Sequence, residues 1–126
     1  YEAWALFPDE QQEFFRWLAT SGVSGVVFLS GDRHASELLK IRYPNAPYDW
    51  FEFTCSPLTA GPGRDEREAN NEARVPGTWV NQRNFGTISV SGPWRERVLT
   101  LRCFDSDGNQ LWEHEIRQQD LQAPRN

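Results

Sequence analysis

The feature that most constrains the fold is an apolar run at residues 25–29 (Gly-Val-Val-Phe-Leu) that ends in the polar residues 30–34 (Ser-Gly-Asp-Arg-His). A short apolar run of this kind predicts a buried β-strand, and Gly31 permits a sharp backbone turn after it. Open α/β sheets bind ligands beyond the carboxyl ends of their strands. The pattern therefore predicts that Asp32 and His34 lie where a carboxylate and an imidazole can hold a divalent metal ion.

The same residues also have a simpler interpretation. Gly-Asp after a strand is ordinary turn chemistry, and a single histidine is more often a satisfied polar residue than a ligand. On residues 30–34 alone, the simpler interpretation is preferred. The choice between the two depends on the rest of the chain.

The remaining pattern predicts one helix followed by β structure. Pro8 and the acidic residues after it favour a helix over residues 8–20, which Gly22 ends. The helix face expected to pack on a sheet carries Phe14, Trp17 and Leu18. Strands are expected at about 24–30, 36–42, 50–55, 86–91, 95–104 and 110–117, with a hairpin turn at 105–109.

Three further polar features are best explained structurally. Residues 61–77 are rich in Gly, Pro, Arg, Glu and Asn, which predicts a solvated, mobile loop. The 105–109 turn lacks the glycine and glutamate spacing of a calcium-binding EF-hand loop. His114 stands between two glutamates and is expected on a strand surface, where it is not a ligand.

Composition limits the class of protein. A chain of 126 residues with 38% hydrophobic content is enough for one compact domain spanning residues 1–126. The net charge of −5 and the absence of a basic stripe argue against nucleic-acid binding. The sequence lacks an apolar stretch of roughly 18 residues, so no membrane span is expected.

The two cysteines, Cys55 and Cys103, fit neither a CxxC metal motif nor a disulfide-rich scaffold. Both fall in or next to predicted strands, so two buried thiols are expected. Spacing alone does not decide whether they form a disulfide.

Several blocks along the chain occur in an order that resembles one known family. They are residues 4–8 (Trp-Ala-Leu-Phe-Pro) with the helix after them, 26–34, 52–59 (Glu-Phe-Thr-Cys-Ser-Pro-Leu-Thr), and 84–86 (Asn-Phe-Gly) with two closing strands. With this order and spacing, residues 1 to about 121 resemble the C-terminal part of the alkaline phosphatase D (PhoD-like) metallophosphoesterases. Cys55 stands where that family usually has a serine.

The resemblance implies an α/β fold, namely the C-terminal portion of a calcineurin-like β-sandwich with α-β-β-α layers. It also implies phosphoric ester hydrolysis at a centre of two divalent or trivalent metal ions, with Ca, Fe, Mn and Zn left open. By the same resemblance, His34 is a metal ligand and Asp32 a ligand of the second metal or a bridge. Arg33 either holds a phosphate oxygen of the substrate or forms a surface salt bridge.

Two further residues are assigned by the resemblance to the edge of the pocket. Ser56 is a candidate substrate-binding residue and Glu52 a candidate lining residue, although a structural role is the preferred interpretation for both. The family's upstream ligand motifs are not found in this chain. We therefore expect a catalytically incompetent fragment that forms oligomers over its exposed sheet, from a parent exported to the periplasm or secreted.

The alternative is a non-catalytic, β-rich binding or interaction domain. Six tryptophans in 126 residues allow it. In this alternative, a core or a ligand-binding face is formed by the aromatic residues Trp50, Phe51, Trp79, Phe85, Trp94 and Trp112. Residues 25–34 argue against it, because a binding module has no reason to carry that segment.

Overall fold

The helix and the strands form close to where the sequence pattern predicts them. The structure is a computed structural model that describes residues 3–63 and 70–123. In these residues, one α-helix and six β-strands form two three-stranded sheets, a mixed α/β arrangement. The elements are α1 Pro8–Thr20, β1 Val27–Ser30, β2 Glu37–Ile41, β3 Trp50–Thr54, β4 Asn84–Ser91, β5 Val98–Asp105 and β6 Gln110–Arg117.

Helix α1 begins at Pro8 as predicted, but it packs through a different face. Phe15 is the residue inserted into the core, with its ring centroid 5.5 Å from that of Trp50 and 5.9 Å from that of Phe28. The expectation that Phe14 and Trp17 face the sheet is wrong, since they are 36% and 55% exposed. These two rings contact each other on the outer side of the helix.

The first sheet has the strand order β1-β3-β2. Strand β1 is parallel to β3, and β2 is antiparallel to β3. The connection from β1 to β2 therefore crosses the carboxyl end of β3, and residues 31–36 make this crossing. Two contacts hold the strand ends together at this point: Ser30 and Thr54 share a side-chain hydrogen bond of 2.7 Å, and the Cys55 amide donates to the Ser30 carbonyl.

The second sheet is the antiparallel meander β4-β5-β6. Its 105–109 turn forms as predicted, with the Asp105 carboxylate accepting backbone hydrogen bonds from Asp107 and Asn109. The sheet packs face to face on the first through Trp112, whose ring lies 5.2 Å from that of Phe53. Gly86 makes this approach possible, since a Cβ there would lie 2.6 Å from the Phe53 ring.

Part of the segment 61–77 is ordered against β2, which corrects the expectation of a solvated loop. Residues 64–69 of that segment lie outside the described residues. Residues 73–75 pair with the edge of β2, where the Val75 amide donates to Leu38 and the Lys40 amide to Ala73. The cause is the need of an edge strand for partners for its backbone groups.

The opposite edge of the first sheet is open. Strand β1 has no strand neighbour besides β3 in the described part of the chain. On β1 itself, Leu29 is 65% exposed. In the second sheet, Val90 and Ile88 are 64% and 44% exposed on the face of β4 that also carries Gly86. An apolar surface of this kind is typical of one that packs against another segment. Within the described ranges, no helix has the length and apolar character needed to cross a bilayer.

The contact between the two sheets predicts where the stability of the fold lies. Leu101 is completely buried in β5, whereas Leu58 is 68% exposed. We expect Leu101→Ala to lower the free energy of unfolding by about 2–5 kcal/mol, because it removes buried methyl groups and leaves a cavity. The matched control Leu58→Ala should change it by about 0.5 kcal/mol or less. Urea denaturation followed by tryptophan fluorescence measures both, and equal losses would contradict this packing.

Candidate functional site

The candidate site is built on residues 31–34, which we call the 31–34 motif. The motif leaves the carboxyl end of β1, as the sequence predicts, and passes over the end of β3. Asp32 and His34 both have a φ of 59°, in the left-handed region. Non-glycine residues in this region are uncommon, although Asp and His are among those enriched there, and such residues cluster at functional sites.

The imidazole of His34 is oriented by the segment 61–63. Its Nδ1 lies 2.6 Å from the Gly61 carbonyl oxygen. Because a carbonyl only accepts, Nδ1 carries the proton, and the neutral ring then has its lone pair on Nε2. Gly63 adds a second contact, since its amide donates to the His34 carbonyl at 2.7 Å. A ring held in this way is the usual arrangement of a metal-binding histidine.

Asp32 lies two residues before His34 in sequence and is exposed. The two residues provide a carboxylate and an imidazole. Within residues 3–63 and 70–123, no group of three or more His, Cys, Asp or Glu side chains lies close enough together to hold a metal ion. The described residues therefore offer part of a metal centre at most.

Arg33 lies in an ion-pair network that is centred on Glu37. Glu37 is 1% exposed and accepts from Arg33 through one carboxylate oxygen. Its other oxygen accepts from the Arg74 Nε at 2.6 Å. The Arg74 guanidinium also lies 4.2 Å from the centre of the Trp79 ring. Of the two alternatives for Arg33, the salt bridge is thus present, but with a buried carboxylate and not at the surface.

Sequence reasoning missed Glu37 and Arg74. The signal for Glu37 was available, because it is an acidic residue inside the otherwise small and apolar segment 35–39, four positions after Arg33. A charge at such a position needs a partner, since a buried carboxylate is costly unless it is paired. Arg74 carried no comparable signal, because it lies in a segment rich in charged residues.

Ser56 and Glu52 have positions consistent with the preferred structural interpretation. The Ser56 hydroxyl donates to the Ala35 carbonyl at 3.2 Å, and its amide donates to the Ser36 hydroxyl at 2.9 Å. Glu52 is half-buried in the middle of β3, opposite Leu39 of β2. Ser56 therefore anchors the two residues that follow the motif, and Glu52 lies two residues before the strand end that the motif crosses.

Asn84 holds in place Ser36, which follows the motif, and Ser56, which follows β3. Its Oδ1 accepts a hydrogen bond of 2.5 Å from the Ser36 hydroxyl, and its Nδ2 donates to the Ser56 carbonyl at 2.8 Å. Asn84 is 2% exposed at the start of β4. The second sheet thereby fixes the position of the residues on both sides of the crossing.

His114 is half-buried rather than on the open strand surface, which corrects the sequence expectation. It faces the first sheet from β6, with its ring 5.9 Å from that of Phe51. Burial, and to a smaller degree the Lys40 charge, lowers the pKa of His114 below its usual value. The reason for the error is that Glu113 and Glu115 point to the other face, so the polar neighbours in sequence are not its neighbours in space.

The aromatic residues of the alternative interpretation do not form one face. Trp50 and Phe51 are buried in the core, whereas Trp94 is 80% exposed. Trp79 and Trp112 line one shallow pocket of about 330 Å³. The remaining lining residues of this pocket are Gly77, Val80, Asn81, Gln82 and Leu111, so it contains no residue of the 31–34 motif.

Comparison with known proteins gives no relative for this arrangement. No family model matches the chain, and no curated protein or solved structure matches it significantly. The chemistry of the site therefore has to be argued from its own residues and contacts.

The first prediction for the site concerns Glu37. We expect Glu37→Gln to lower the free energy of unfolding by about 3–5 kcal/mol, because it breaks the ion pairs that compensate for burying the Glu37 carboxylate. The matched control is Glu113→Gln, which breaks the exposed pair with Arg102 and should cost about 1 kcal/mol or less. Both are measured by urea denaturation at neutral pH. Equal costs for the two variants would show that the Glu37 network is not buried in solution.

A second prediction concerns the pH dependence of stability. Since burial lowers the pKa of His114, the unfolded chain binds a proton at this residue at higher pH than the folded chain does. The free energy of unfolding should therefore fall as the pH drops below about 6.5, the usual histidine value. In His114→Gln this part of the pH dependence should disappear. Denaturation between pH 5 and 8 tests it, and an unchanged slope would contradict the burial of His114.

Proposed function

We propose that the 31–34 motif contributes ligands to a metal centre that hydrolyses phosphoric esters, as the resemblance to PhoD-like metallophosphoesterases implies. The observation that carries the proposal is the hydrogen bond from His34 Nδ1 to the Gly61 carbonyl. It fixes the tautomer and the direction of a ring at the carboxyl end of a strand. In this proposal the two stacked sheets are the C-terminal portion of a calcineurin-like β-sandwich.

In this proposal each residue of the motif has a different role. His34 holds a metal ion through Nε2, and the Asp32 carboxylate binds a second metal ion or bridges to it. When bound, a pair of divalent or trivalent cations (Ca, Fe, Mn or Zn) neutralises phosphate charge and activates water. Arg33 keeps 30% of its side chain exposed while it is paired with Glu37, so it retains a surface that can donate to a phosphate oxygen.

The proposal gives Ser56 a smaller part. Its hydroxyl donates to the Ala35 carbonyl, so a contact with substrate requires that hydroxyl to turn away. Its amide and carbonyl hold the chain beneath the motif through Ser36 and Asn84. Support of the motif is therefore the role that its contacts favour.

The number of ligands limits what this chain does by itself. A catalytic metal usually takes about three protein ligands, and a two-metal centre takes more. The motif offers two groups, so further ligands must come from another segment or another chain. We propose that such a partner, a second copy included, also covers Leu29, Ile88 and Val90. An exported parent protein, as the resemblance implies, belongs to the same proposal.

A second candidate function is ligand binding without catalysis. It is favoured by the pocket that Trp79 and Trp112 line. This function predicts indifference to chelators.

Titration with Mn²⁺ followed by NMR tests the first candidate. Mn²⁺ should broaden the amide resonances of residues 31–35 and 61–63 before all others, because its unpaired electrons act on nearby nuclei. His34→Asn should remove this selective broadening. Asn is chosen because it tolerates the left-handed backbone at this position, so the variant removes the ligand without adding strain. His114→Gln, which changes the other histidine, should leave the broadening unchanged.

Two outcomes would contradict the proposal. One is broadening that is equal in wild type and His34→Asn, and the other is broadening centred on the acidic 105–109 turn. Assays with phosphomonoester and phosphodiester substrates and added Ca²⁺, Mn²⁺, Fe³⁺ or Zn²⁺ complete the test. We expect no turnover by this chain alone. Turnover abolished by chelator and by His34→Asn would establish the reaction and show that the ligand count above is wrong.

A further inference from the structure

The two thiols of the chain meet between the sheets. Cys103 lies in β5 and is fully buried, as expected. Cys55 directly follows β3 and is only half-buried, which corrects the expectation of two buried thiols. The two sulfurs lie 3.4 Å and 3.6 Å from the same atom, Oδ1 of Asn84.

Gly86 explains how the sulfur of Cys55 comes so close to Cys103. Gly86 is paired with Cys103 in the β4–β5 ladder. A Cβ at Gly86 would lie 2.9 Å from the Cys55 sulfur, which real structures do not tolerate. The missing side chain thus leaves the space that the Cys55 sulfur occupies, next to the strand position of Cys103.

From this geometry we propose that Cys55 and Cys103 are a disulfide-forming pair, which links the two sheets when the protein meets a low-molecular-weight disulfide such as oxidised glutathione. The proposal is independent of the phosphoesterase function. It chooses between the two alternatives that the sequence spacing leaves open.

The two cysteines have different chemical roles in this reaction. The side-chain contact with Cys103 lowers the pKa of Cys55 below the usual thiol value, so Cys55 forms the thiolate more readily than Cys103 does. The same contact, together with burial, raises the pKa of Cys103. Cys55 is also the more accessible of the two. It is therefore the attacking sulfur, and Cys103 is the resolving one.

The reaction balances in two exchanges. The Cys55 thiolate attacks one sulfur of oxidised glutathione, which forms a mixed disulfide and releases one glutathione thiolate. Cys103 then loses its proton and attacks the Cys55 sulfur, which forms the protein disulfide and releases the second glutathione. Two protein thiols are oxidised, and one glutathione disulfide is reduced to two thiols.

The cross-link would also connect the candidate site to the second sheet. The Cys55 amide donates to the Ser30 carbonyl, immediately before the 31–34 motif. A covalent bond from Cys55 to β5 restrains the position of this contact in the folded protein. It also reduces the conformational freedom of the unfolded chain. The oxidised protein should therefore melt at a higher temperature than the reduced protein.

The test starts from the reduced full chain after removal of the reductant. Incubation with oxidised glutathione should lower free thiols from two to none per chain and remove two hydrogen atoms from the mass of the monomer. No glutathione adduct should remain, and peptide mapping should recover Cys55 joined to Cys103. In Cys103→Ser, the first exchange has no second step, so Cys55 should keep one glutathione.

The matched control is the double variant Cys103→Ala, Ser91→Cys. It keeps two cysteines but moves the second to the far end of β4, on the face opposite Gly86. This variant should give glutathione adducts and no internal disulfide. Wild type that keeps both thiols, carries two adducts or forms only linked dimers would overturn the proposal. Since peptide mapping of wild type distinguishes these results, the test does not depend on the folding of a variant.

Discussion

The burial of the Glu37 carboxylate is the constraint on which the arrangement around the candidate site depends. A buried carboxylate loses its hydration and is tolerated only when it is paired. Arg33 and Arg74 provide that pairing from two different segments. The carboxylate in β2 thereby holds the 31–34 motif on one side and residues 73–75 on the other. Trp79 extends the network, because its ring lies over the Arg74 guanidinium.

The close approach of the two sheets is the second constraint. It requires Gly86, where any side chain would collide with the Phe53 ring and the Cys55 sulfur. The same approach brings Asn84 of the second sheet into contact with Ser36 of the first. The residues beneath the motif are thus held by both sheets, although the motif itself extends from only one. Packing between the layers therefore determines the geometry of the loop.

The local parts of the fold were predictable from the sequence. The helix 8–20, the positions of the strands along the chain and the 105–109 turn follow from local signals. These signals are proline at a helix start, alternating polarity and turn residues. The structure confirms these elements, with strand ends shifted by up to a few residues. Such signals lie within a few residues of one another, and this short range is sufficient to determine where each helix, strand or turn forms.

The contacts between distant segments were not predictable in this way. The choice of Phe15 over Phe14 as the inserted ring depends on the position of Trp50, which the helix pattern does not contain. His114 has acidic neighbours in sequence but Phe51 in space. In the candidate site, the position of the motif was predicted, whereas the Gly61 carbonyl that orients His34 was not. That contact joins segments far apart in sequence, and no local pattern encodes it.

The open edge of β1 and the incomplete ligand set of the proposed metal centre are two aspects of one geometry. The motif follows β1 directly, and β1 is the strand that lacks a second neighbour in the described part of the chain. A parallel strand added beside β1 would end at the same edge of the sheet, next to Asp32 and His34. It would cover Leu29 along its length and bring the side chains after its carboxyl end to the motif. The segment that completes the sheet would therefore be the one that completes the metal centre that we propose.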